Sequence, residues 1–92
     1  MDTVFLTDST RDGGWIDGQH KDGYSFSAKV YDNGSKHGIR RGRVSKLFID
    51  VDSTGETVVC YDRRWQLKPA PEVKQAYADI LKFLETMPIS AF

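Results

Sequence analysis

The chain has 92 residues, with 13 Lys+Arg set against 13 Asp+Glu, 39% hydrophobic side chains and 12% aromatic ones. That length holds one domain, since independent domains run to about 50–200 residues, and five Phe, four Tyr and two Trp supply bulk for a core, which excludes disorder for most of the chain. Zero net charge excludes a globally basic nucleic-acid binder and removes the charge protection against self-association.

Residues 1–14 mix Thr, Ser, Asp and Gly around Val4-Phe5-Leu6 and read as an N-terminal arm or a short edge strand, ending at the break Asp12-Gly13-Gly14. The segment has no basic leader region, so it is not a signal peptide. The remainder, 15–92, reads as one α+β domain. Trp15 to Gln19 is a candidate strand, and His20-Lys21-Asp22-Gly23 supplies a hairpin turn with His20 facing solvent. Tyr24, Phe26, Ala28 and Val30 alternate with Ser25, Ser27, Lys29 and Tyr31, the period of a strand with one buried face.

Asp32-Asn33-Gly34-Ser35 closes that strand, and glycine and polar content make a loop as far as Gly42. Arg43 to Asp52 predicts the next strand, with Ser45, Leu47, Ile49 and Val51 on one face and Val44 and Phe48 on the other. Ser53-Thr54-Gly55 turns the chain into a β-branched and aromatic strand over Glu56–Asp62. The period then changes. Val73, Ala76, Tyr77, Ile80, Leu81 and Leu84 form one apolar stripe of a helix over about 71–86, opened by Pro71 and Glu72 and stopped by Pro88. Such a helix needs an apolar sheet face to lie on. The expected architecture is an antiparallel β-meander of four to five strands with one C-terminal α-helix packed on one face.

Trp15, Tyr24-Ser25-Phe26-Ser27-Ala28-Lys29-Val30-Tyr31, Gly34-Ser35, Gly38-Ile39, Gly42-Arg43-Val44-Ser45-Lys46-Leu47 and Tyr61-Asp62-Arg63 together resemble a family of small uncharacterised proteins, a domain of unknown function, from Gram-positive bacteria and their phages and prophages. The resemblance covers roughly residues 15–86, and its most specific pieces are GI..GRVSKL and YDR.W. In that family the segment after the last strand usually reads YDRGWD, so Arg64 stands here in place of a turn glycine and Gln66 in place of an acid. The resemblance implies a phage or mobile-element origin and a role exercised through a host partner. It carries no activity to transfer.

Five of the basic residues, Lys36, Arg40, Arg41, Arg43 and Lys46, fall within positions 36–46, and no acid lies between Asp32 and Asp50. Glycines flanking arginines let amides and guanidinium groups approach an anion closely. Such a loop suits an acidic protein surface or a nucleic-acid backbone. The plainer alternative is a solvated loop whose arginines pair with Asp32, Asp50 or Asp62. Arg63, Arg64 and Trp65 form a second candidate, since Trp and Arg dominate interface hot spots, although Trp65 could equally close the core over the sheet edge or helix. Trp15 reads as a core residue.

No catalytic motif is present, and pairs such as Asp17 with His20 or Asp62 with Arg63 are ordinary turn residues, so the chain is not expected to be an enzyme. His20, His37 and Cys60 would make a metal site only by coincidence of the fold, and no metal or cofactor is expected. Cys60 is the only cysteine, so no internal disulfide forms. A lone thiol without an apolar run of about 18–20 residues fits the cytoplasm, that of the host cell if the protein is phage-encoded, and excludes a membrane partner. The expected function is non-catalytic binding to a host macromolecule, most simply a protein with an acidic surface, which is modulated or inhibited, for example as an anti-defence inhibitor. The alternatives are a nucleic-acid-binding accessory protein using loop 36–46, and a structural homodimer. The dimer would form through an edge strand or through Val44, Phe48, Val58 and Cys60; the plainer alternative makes Lys29 and Lys46 edge guards against such pairing.

Overall fold

The computed structural model describes residues 3–8, 14–31 and 33–87. Asp32, the Asp12-Gly13 part of the first break and Pro88 lie outside the described residues. Six strands form one antiparallel sheet: β1 (Val4–Asp8), β2 (Trp15–His20), β3 (Tyr24–Val30), β4 (Val44–Val51), β5 (Thr57–Asp62) and β6 (Trp65–Leu67). Their order in the sheet is their order in the chain, so every pairing is between sequence neighbours. A 3-10 turn at Pro71–Val73 leads into α1 (Lys74–Thr86), which crosses one face and packs against β4 and β1. The α+β reading is correct, but the strand count is six, not four or five. β1 and β6 are the two edges of the sheet, and β6, the strand beyond the expected count, has three residues, too few for an alternation to show.

Alternation along β2 and β3 sorts the side chains as their period requires. Ile16, Phe26, Ala28, Leu47, Ile49, Val59 and Tyr61 point toward the helix, where Ala76, Tyr77, Ile80, Leu81 and Leu84 cover them. An irregularity alters the simple pattern at the start of β4. Between Val30 and Lys29 the register with β4 slips by one, so Val44 and Ser45 are both buried. Val44 therefore belongs to the helix-covered core and not to the opposite face with Phe48, which also removes it from any dimer surface.

His20 is likewise inside, with a fully buried side chain, and does not face solvent at the hairpin. Its Nδ1 accepts the Asp22 N–H at 3.1 Å, so Nε2 carries the proton and donates to Asp79 of α1 at 2.8 Å. Asp17 lies on the other face of β2, three residues away, and cannot work with it. The helix-free face carries Trp15, Asp17, Ser25, Ser27, Lys29, Lys46, Phe48, Asp50 and Cys60. Trp15 is half-buried there and stacks on Phe48 with centroids 6.1 Å apart, outside the helix-covered core. Lys29 and Lys46 sit on the two central strands, so they guard no edge.

Candidate functional site

The β3–β4 loop and the β5–β6 turn emerge at the same end of the meander, because both follow strands running the same way. Lys36, Arg40, Arg41, Arg63 and Arg64 are all exposed at that end. The topology thus joins two basic segments that are some twenty residues apart in sequence.

The loop is held rigidly. Ile39 drops into the core as an anchor with 3% exposure, and the Tyr61 hydroxyl donates to the His37 carbonyl at 2.9 Å. The Ser35 N–H bonds to the Gly42 carbonyl at 3.2 Å, and the Arg41 N–H to the Gly38 carbonyl at 2.9 Å. Gly38 sits so close to the Gly42 carbonyl that a β-carbon would collide with it, and a β-carbon on Gly42 would strike the Glu85 carboxylate. Within this frame the Gly42 N–H closes a turn onto the Ile39 carbonyl at 2.8 Å, and its central residues Arg40 and Arg41 have φ of 54° and 61°. Two positive φ values in a row are the type I′ geometry, which normally calls for Asn and Gly.

Arg63 is the third non-glycine residue with positive φ among the described residues, at 63°. Its N–H bonds to the Ser45 carbonyl at 3.0 Å, which ties the β5–β6 turn to the irregular start of β4. The left-handed position in this turn is therefore Arg63, and Arg64, which replaces the resemblance's glycine, does not occupy it. The guanidinium groups of Arg40, Arg41, Arg63 and Arg64 make no ion pair or hydrogen bond among the described residues. Arg40 lies beside α1, where its charge offsets part of the upward shift that burial imposes on the Tyr77 phenol.

The other candidates are placed differently. Arg43 turns inward: its backbone N–H bonds to both Glu85 carboxylate oxygens at 3.0 Å, and its side-chain Nη2 donates to the carbonyls of Leu84 at 2.5 Å and Met87 at 2.9 Å. It caps the end of α1, whose last carbonyls have no partners within the helix. Lys46 is on the helix-free face, 3.6 Å from Asp62 and 5.9 Å from the centre of the Trp15 ring. Trp65 is half-buried between Tyr61 and Tyr77, edge-on to both at 5.1 and 5.6 Å. It joins the β6 edge to the helix, the core-closing role left open by its sequence position. Of the residues picked out, the structure brings Lys36, Arg40, Arg41, Arg63 and Arg64 to one end of the sheet, with Arg40 beside α1 and Arg63 beside Tyr31 and Ser45, and assigns Arg43, Lys46 and Trp65 structural contacts.

Among the described residues no group of His, Cys, Asp or Glu could hold a metal ion. His20 lies under the helix, Cys60 on the opposite face and His37 in the loop. No helix among the described residues is long and apolar enough to cross a membrane. Sequence reasoning missed Ser35, Tyr31 and Ser45, which line a cavity with His37 and Arg63. No local pattern marks them, since the slip in β4 and the β5–β6 turn bring them together only in three dimensions. No curated protein and no solved structure matches the chain. A family model does match, over residues 14–85, from the start of β2 to the last turn of α1, and the chain therefore belongs to the domain of unknown function DUF7678.

Proposed function

We propose that this protein is a non-catalytic binding module that docks through its arginine-bearing end on an acidic surface of a host protein and modulates or inhibits it. The resemblance of its motifs to phage and prophage proteins adds that it serves as an accessory protein, with anti-defence inhibition as the sharpest form of the role. One observation carries the reading: all three left-handed non-glycine residues among the described ones are exposed arginines at one end of the sheet. The left-handed conformation costs roughly 1–2 kcal/mol for a residue with a β-carbon. Glycine or asparagine would fill these turns at less cost, and persistent strain of this kind concentrates at functional positions. The strain supports a selected need for guanidinium groups fixed in that place, where planar bidentate pairing with carboxylates is available.

Docking would proceed by electrostatic steering, followed by desolvated arginine–carboxylate pairs. Trp65 supports the surface from beneath. Immobilised wild type should retain an acidic host protein from lysate at about 0.1 M salt, and Arg40→Glu with Arg41→Glu should abolish it while changing stability by less than about 0.5 kcal/mol. Retention by the reversed variant at the wild-type level would refute the docking surface. Retention lost on nuclease treatment would transfer the role to nucleic acid.

A second reading rests on the helix-free face. Phe5 and Leu67 are exposed there, the stacked Trp15 and Phe48 lie between them, and zero net charge does not oppose pairing of two copies.

A further inference from the structure

Beside the arginine turn, the end of β3, the loop after it, the start of β4 and the β5–β6 turn enclose a cavity of about 380 Å³ lined by Tyr31, Ser35, His37, Ser45 and Arg63. The wall offers a phenol, two serine hydroxyls, an imidazole and a guanidinium, and among the described residues no carboxylate. Three other cavities among the described residues each include an acid: Glu85, Asp79, or Asp17 with Asp50.

The donors are fixed in place and have capacity to spare. The Ser35 hydroxyl accepts the His37 N–H at 3.2 Å, which leaves its own proton to donate. Ser45 is 2% exposed, yet the acceptor facing its hydroxyl, the Lys29 carbonyl, is 3.5 Å away. That exceeds the ordinary O–H···O range of about 2.5–3.0 Å, and buried hydroxyls are normally better satisfied. Lys29 stands over the Tyr31 ring, 5.5 Å from its centre. Hydrogen bonding to Lys29 lowers the Tyr31 phenol from its ordinary range, with Ser45 and Arg63 acting in the same direction, so cationic and hydroxyl groups converge on one mouth. The left-handed backbone of Arg63 has a local purpose here, since its N–H is fastened to the Ser45 carbonyl and the residue forms a wall of the cavity.

We infer that this cavity binds the phosphate group of a phosphomonoester. A carboxylate presents two oxygens in a plane, whereas a phosphate group presents three terminal oxygens and up to two charges, which suits donors arriving from four separate segments. The volume exceeds that of the phosphate alone and leaves room for part of its carrier, a nucleoside or a phosphorylated side chain. The inference shares Arg63 with the docking reading but uses neither Arg40 nor Arg41, the two residues whose reversal tests that reading.

The test is a titration of the full chain, followed by amide NMR shifts, with inorganic phosphate, a nucleoside monophosphate, a phosphoserine peptide and acetate, all at matched ionic strength. Phosphate should produce saturable shifts centred on Ser35, His37, Ser45 and Arg63, and whichever carrier fits should bind more tightly than phosphate itself. Arg63→Gln should weaken binding at least about tenfold and Ser45→Ala about threefold, with unfolding followed in parallel to confirm that both variants fold. Arg40→Gln with Arg41→Gln should leave phosphate binding within about twofold, which separates failure of this site from failure of the docking surface. Absence of saturable shifts up to about 20 mM phosphate, acetate binding as tightly as phosphate, or indifference to a folded Arg63→Gln would each overturn the inference.

Discussion

Arg41 and Arg43 are two positions apart in one basic run and have different surroundings. Arg41 is exposed on a backbone of φ 61°, and Arg43 is fastened to the Glu85 carboxylate and to the carbonyls of Leu84 and Met87. Opposite effects of mutation follow. Arg41→Gly should raise stability in urea by about 0.5–1 kcal/mol, the left-handed penalty less the extra chain entropy of glycine. Arg43→Ala should lower it by roughly 2–4 kcal/mol, because it removes the guanidinium bonds that cap the helix end, while the backbone N–H still holds Glu85. Nothing near Arg43 in sequence distinguishes it from its neighbours, since its partners lie more than forty residues further on. The positive φ values were equally hidden: Arg-Arg is the least expected filling for a turn that prefers Asn-Gly.

At the scale of elements, the strongest pattern in the chain, the alternation of Tyr24 to Tyr31, placed β3 correctly, and the apolar stripe from Val73 to Leu84 placed the helix. The departures come where period two breaks. An inserted residue at the start of β4 swings Val44 to the helix side, and a count of alternating positions cannot register an insertion. The hairpin between β2 and β3 was legible, but its fastening to α1 through His20 and Asp79 was not, because histidine next to Asp-Gly looks like an ordinary turn residue. That link has a pH signature. Hydrogen bonding to His20 holds the Asp79 carboxyl below the usual aspartate range, so its stabilising contribution is present above the unfolded-state pKa and is lost as pH falls through the folded-state value. Stability should therefore decline below about pH 4, and Asp79→Asn should flatten that part of the profile in urea unfolding measured across pH.

For the whole molecule, the balance of 13 bases and 13 acids conceals an uneven distribution, with exposed arginines at one end of the sheet and carboxylates such as Asp17 and Asp50 on the helix-free face. Those carboxylates, bonded to Ser27 at 2.6 Å and to Thr57 at 2.7 Å, make that face a poor track for a nucleic-acid backbone and leave Trp15, Phe48, Phe5 and Leu67 as its apolar content. If two copies pair there, light scattering should give twice the monomer mass for wild type and the monomer mass for Phe48→Lys at about 0.1 mM; equal masses would remove the dimer. The sequence could not decide between these faces, since which side a helix covers depends on the path of the chain after β6.

The fastening of Gly42 and Arg43 to Glu85 also orders events during synthesis. Each strand can pair with its predecessor as it leaves the ribosome, so the meander grows hairpin by hairpin. The arginine turn, near the middle of the chain, nevertheless waits for the final turn of α1, which brings both its tether and the cover for the sheet's apolar face. A nascent or truncated chain lacking Leu84 and Glu85 presents the arginines without that tether. The docking proposed above would therefore follow translation of the helix.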